Sequence, residues 1–91
     1  MYTVHITKEA EKDMKKLDQY SRKIISSWIM KRLEGCDNPR AFGKALTANK
    51  KGLWRYRVGD YRIICDIEDD KIIILILAIG HRTPFFISSV K

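Results

Sequence analysis

Leu53-Trp54-Arg55-Tyr56-Arg57-Val58-Gly59-Asp60-Tyr61-Arg62-Ile63-Ile64-Cys65-Asp66-Ile67-Glu68 is the stretch on which the fold turns. Two runs rich in β-branched and aromatic residues flank Gly59-Asp60, and a two-residue loop that begins with glycine fits a type II′ hairpin turn. That loop fixes the register. Val58 faces Tyr61, Arg57 faces Arg62, Tyr56 faces Ile63, Arg55 faces Ile64, Trp54 faces Cys65 and Leu53 faces Asp66. Cross-strand partners share a face, so Trp54, Tyr56, Val58, Tyr61, Ile63, Cys65 and Ile67 form a core face. Arg55, Arg57 and Arg62 gather on the other. Two cations placed opposite each other at about 6 Å repel by roughly 1–3 kcal/mol before salt screening. A phosphate between them converts that repulsion into a bidentate clamp, the geometry guanidinium groups favour. A solvated sheet face with Asp66 as local relief is the alternative.

Outward from the hairpin, residues 2–6 alternate as a first strand, and Thr7 is placed to cap a helix to about residue 17 with Ala10, Met14 and Leu17 as its apolar stripe. A second helix is expected from about residue 21 to 33 or 35, with Ile24, Ile25, Trp28, Ile29 and Leu33 at helical spacing; Trp28 reads as a core anchor. Residues 40–52 read as an irregular basic loop pinned by Leu46. After Asp69-Asp70, residues 71–79 are apolar on both faces and predict a central strand that ends at Gly80. The expected fold is α+β, in the order β-α-α-β-β-β: a mainly antiparallel four-stranded sheet with a two-helix hairpin packed on one face.

Ninety-one residues suit one domain, 1–91, and 45% hydrophobic content suits a folded one. The net charge of +7, from 18 Lys+Arg against 11 Asp+Glu, favours an anionic partner. Cys36 and Cys65 have no paired metal-ligand spacing and are too few for a disulfide scaffold; Cys65 reads as a small core residue. No secretory leader is visible and no apolar run is long enough to span a membrane, which makes the cytoplasm the expected compartment.

The run Gly43-Lys44-Ala45-Leu46, then Gly52-Leu53-Trp54-Arg55-Tyr56-Arg57-Val58-Gly59-Asp60-Tyr61-Arg62-Ile63-Ile64, then Ile79-Gly80-His81-Arg82, resembles the RelE/ParE toxins of type II toxin–antitoxin pairs. The resemblance covers nearly the whole chain and is strongest to the RelE branch. It implies a ribosome-dependent, metal-independent mRNA endonuclease that inhibits translation. Attack by the neighbouring ribose 2′-OH would leave a cyclic phosphate. By the same resemblance Arg57, Arg62, His81 and Arg82 are the expected catalytic residues. Arg55, Lys44, Lys50, Lys51 and Phe86 are expected to bind RNA or phosphate. Phe86 falls where the family pattern has a tyrosine, so it keeps a stacking ring without the hydroxyl. His81 is the side chain whose ordinary pKa suits proton transfer near neutrality; His5 reads as structural. Implied partners are a cognate antitoxin, mRNA in the ribosomal A site and ribosomal RNA, with operator DNA reached only through the antitoxin complex. Lys8, Lys12, Lys15 and Lys16 are expected to add charge toward ribosomal RNA. Two other functions share this fold: a ParE-like inhibitor of DNA gyrase, and a catalytically silent binding module held by its antitoxin.

Overall fold

A computed structural model of the chain describes residues 1–46 and 52–81. The elements are β1 (Thr3–Ile6), α1 (Lys8–Lys15), α2 (Gln19–Trp28), β2 (Lys44–Ala45), β3 (Leu53–Val58), β4 (Tyr61–Glu68) and β5 (Ile73–His81). The sheet runs β1-β5-β4-β3-β2, antiparallel throughout except for the parallel β1/β5 pair. The α+β class and the element order are as the sequence predicts. The sheet has five strands rather than four, because Lys44 and Ala45, inside the segment read as loop, pair with Arg55 and Trp54.

Local chemistry sets the helix ends. Thr7 accepts a bond from Ala10 N at 3.2 Å, as expected of an N-cap. α2 starts earlier than its periodicity suggests, since Asp18 is the cap and accepts from Ser21 N at 3.3 Å. The helix does not continue regularly to residue 33. It closes through a π-turn at Ile29–Leu33, in which Glu34 N reaches back to Ile29 O at 3.0 Å. This turn keeps Ile29 and Leu33 both buried.

Ala10, Ile25, Ile29 and Leu33 pack on one sheet face against Tyr56, Val58, Ile63, Cys65, Ile74, Ile76 and Ile79. Trp28 is half-buried against this core, its ring 5.4 Å from Tyr56 and 6.2 Å from Phe42. Leu46 does not pin its segment to the core: it is exposed, and its backbone N–H bonds Leu53 O instead. The pin is Tyr56, wholly buried, whose hydroxyl donates to Pro39 O at 2.6 Å. Burial pushes its phenol pKa up, so it stays a donor.

The central position of the last strand is confirmed, but its limits shift. β5 begins at Ile73, because residues 69–72 form the turn, and it runs through Gly80 to His81. Gly80 continues the strand because it pairs with Arg62, as His81 does with Tyr61.

Candidate nucleic-acid interface

The hairpin has the register read from its loop: all six pairs from Val58–Tyr61 to Leu53–Asp66 are present. Gly59 has φ +60° and Asp60 does not have positive φ, which is the type II′ pattern. Arg57–Arg62 is the second pair from a two-residue loop and therefore a non-hydrogen-bonded one, the arrangement that brings facing side chains closest. Arg57 is exposed, Arg55 and Arg62 are half-buried, and Nε of Arg62 is shielded from solvent.

The surroundings extend the basic surface. Lys44 pairs with Arg55, which puts a fourth cation on the arginine face. Gly43, Lys44, Arg55 and Arg57 line a cavity of about 220 Å³. Gly43, at φ +76°, lies so close against β3 that a Cβ there would sit 2.8 Å from Trp54 Nε1 and 2.9 Å from Tyr56 Cδ1. On the far side Gly80 of β5 lies beside Arg62, while Ile64 stands between Arg55 and Ala78. Among the described residues no carboxylate forms an ion pair with Lys44, Arg55 or Arg57.

His81 is not brought to this face. Side chains alternate along β5, and with Gly80 opposite Arg62, His81 shares the helix-side face with Tyr61. Its ring lies 4.5 Å from that of Tyr61, whose hydroxyl is 3.0 Å from Ser21 Oγ. The expectation of one site walled by the arginines and His81 is therefore corrected: the two occupy opposite faces of the same sheet end. Lys8, Lys12, Lys15 and Lys16, in or just after α1, are exposed on the helix side and likewise stand apart from the arginines. Arg82, Lys50, Lys51 and Phe86 lie outside the described residues. His5, on β1, is exposed beside Leu75. Among the described residues no group of three or more His, Cys, Asp and Glu side chains is arranged to hold a metal ion. Nor is any described helix long and apolar enough to cross a membrane.

Two contributions had no signal that sequence reading used. Asp13, one charge among many on α1, accepts a bond from Ile79 N at 3.0 Å. β1 stops pairing at Ile76, so Asp13 caps an edge of β5 that no strand among the described residues covers. Lys44 was legible as a cation but not as a strand residue, because two residues are too few for alternation to register.

A family model described as ParE toxin of type II toxin-antitoxin system, parDE, matches residues 4–83. No curated protein matches the chain. Among solved structures, the toxin-antitoxin complex RelBE2 from Mycobacterium tuberculosis is similar at 30% identity, over 89% of this chain and 98% of that one, with a TM-score of 0.78. The archaeal RelE-RelB complex from Pyrococcus horikoshii is similar at 28% identity, over 91% and 97%, with a TM-score of 0.70. The isolated RelE toxin of E. coli, at 17% identity over 99% and 96% and a TM-score of 0.71, shares the fold.

Proposed function

The chain belongs to the RelE/ParE superfamily of type II toxin–antitoxin toxins, and from that premise we propose that it acts as a ribosome-dependent mRNA endonuclease, restrained by an antitoxin partner. The observation that carries the proposal is the Arg57–Arg62 pair, two cations held face to face next to the Gly59-Asp60 turn, with Gly80 beside Arg62. The similar structures from Mycobacterium tuberculosis and Pyrococcus horikoshii are complexes of the RelBE2 and RelE-RelB pairs, which supports the antitoxin partner.

In this proposal Arg57 and Arg62 grip the non-bridging oxygens of the scissile phosphate. The neighbouring ribose 2′-oxygen forms a bond to phosphorus, the bond to the 5′-oxygen breaks, and a cyclic phosphate remains. Negative charge grows on the phosphorane, so a clamp that is already in place stabilises it more than the ground state. The 2′-OH proton must leave and the 5′-oxygen must gain one. Guanidinium groups stay protonated and are poor bases, so the arginines serve charge rather than proton transfer. Arg82 is assigned to the leaving oxygen and Phe86 to stacking on a base. Lys50 and Lys51 add attraction for the strand. His81 serves by position, its ring stacked on Tyr61. A site short of a strong base relies on a substrate already oriented for attack, which is what a ribosome-held mRNA provides.

Mapping RNA 5′ ends after induction in translating cells tests the proposal. New ends within translated messages are expected, with naked RNA cut weakly. Arg57→Ala and Arg62→Ala should each lower the cleavage rate by about 10²–10³-fold. Efficient cutting of naked RNA, or full cleavage by either variant, would sink the proposal. One observation favours a second reading, a gyrase-directed toxin without nuclease activity: the strand-end imidazole faces away from the arginines. A supercoiling assay run beside the cleavage assay separates the two.

A further inference from the structure

We infer that the arginine face holds two successive phosphates of a single-stranded RNA in two separate seats, one made by Lys44 with Arg55 and one by Arg57 with Arg62. The inference rests on the RNA-directed function proposed above and adds the register in which the strand lies.

Three observations carry it. First, the cations stand in two rows across the sheet, and each row is a cross-strand pair: Lys44 opposite Arg55, and Arg57 opposite Arg62. Second, the rows are two residues apart along β3, which at strand rise is about 6.7 Å. That step is close to the spacing of neighbouring phosphates along a ribonucleotide chain. Third, the cavity of about 220 Å³ is lined by Gly43, Lys44, Arg55 and Arg57 and does not reach Arg62. Arg57 stands on the boundary between the seats, and Arg62 belongs to one seat alone. Gly80 stands beside Arg62 on β5 and adds no side chain next to the upper row, whereas buried Ile64 closes the β4 side of the lower one. No carboxylate among the described residues pairs with Lys44, Arg55 or Arg57, so a phosphate entering either row displaces no ion pair with those three.

Each seat has two donors of different kinds. The lower row joins a lysine point charge to a planar guanidinium, which suits holding a phosphate without shaping it. The upper row joins two guanidinium groups, which suits a phosphate whose geometry changes. The Lys44–Arg55 seat thus sets where the strand sits, and the Arg57–Arg62 seat takes the phosphate that reacts.

The test measures binding of the free full-length chain to two 2′-O-methyl probes, which cannot be cleaved. Diuridine carries one phosphodiester and no terminal phosphate; triuridine carries two. The wild type is expected to bind the longer probe about tenfold more tightly. Lys44→Ala with Arg55→Ala should bring the two affinities together and reduce the log–log salt slope for triuridine by about 0.7, the value of one single-strand phosphate contact. Lys44→Arg with Arg55→Lys keeps both charges, so it should keep the slope. This pair also controls for folding. Equal affinity of the wild type for both probes overturns the inference, as does a length preference that survives Lys44→Ala with Arg55→Ala. These outcomes are independent of cleavage. A retained length preference with no cutting in translating cells overturns the nuclease proposal and leaves the seats standing.

Discussion

Ile72 is the one non-glycine residue with positive φ among the described residues, at 56°. A β-branched side chain in the left-handed region costs roughly 1–2 kcal/mol, and Ile72 is 46% exposed, so its packing repays little of that. The turn it closes is fixed by backbone bonds, Ile72 N to Asp69 O at 3.2 Å and Thr3 N to Ile72 O at 3.0 Å. Ile72→Asn, which tolerates this conformation and keeps both backbone bonds, is expected to stabilise the fold by roughly 0.5–1 kcal/mol. A shift in urea midpoint at constant slope checks it; an unchanged or lower midpoint refutes it. The residues to which the proposed function assigns the phosphate were easier to read than this one. Arg57 and Arg62 face each other because of loop length alone, and loop length is visible in sequence. Positive φ at an isoleucine is imposed from outside, by the parallel strand that bonds Ile72 O.

At the scale of elements, alternation told the truth where a strand was long. β3 and β4 were legible pair by pair, and the exposed arginine face with them. β2 was not, since two residues carry no period. The His81 face was misjudged because Gly80 was read as a stop; once Gly80 stays in the strand, alternation sends His81 to the helix side. α1 and β5 are joined by a contact that periodicity does not encode. Asp13 Oδ2 accepts from Ile79 N at the edge β1 leaves uncovered, in a partly buried setting. Removing the acceptor strands that N–H, so Asp13→Ala should destabilise the protein by about 1–3 kcal/mol, whereas Asp13→Asn keeps an oxygen there and should cost less. Chemical denaturation of both variants decides the matter: equal losses would mean the bond contributes nothing specific.

For the whole molecule, charge is divided along the sheet. Arg57 and Arg62 lie next to the Gly59-Asp60 turn, and Asp66, Glu68, Asp69 and Asp70 line a cavity of about 510 Å³ with Arg40 and Lys71 toward the other end of β4. Arg40 pairs with Asp69 at 3.0 Å and Lys71 with Glu68 at 3.7 Å, so part of the acidic end is neutralised, while Lys44, Arg55 and Arg57 form no ion pair among the described residues. On the proposed function, this division of charge would draw an RNA strand in with one end of the sheet leading. β1 lies on the opposite edge from β2, behind β5. Val4→Ala, which trims a half-buried side chain packed on the core, should lower stability by about 1–2 kcal/mol and leave oligonucleotide affinity unchanged. Denaturant titration and the triuridine probe read the two quantities separately; a parallel fall in affinity would show the edges to be coupled.

The parallel pairing of β1 with β5 has a consequence for how the chain comes off its own ribosome. Thr3 is made seventy residues before its partner Ile73. Until β5 emerges, the first strand has no neighbour, and Ile25, Ile29 and Leu33 have no complete sheet to cover. β3, β4 and β5 by contrast are joined by short turns and pair locally, which is the faster kind of closure. The cationic rows therefore take shape only after both helices have been made. A nascent chain that has reached residue 60 has Arg57 but no Arg62 opposite it, so the facing pair is still missing at that point.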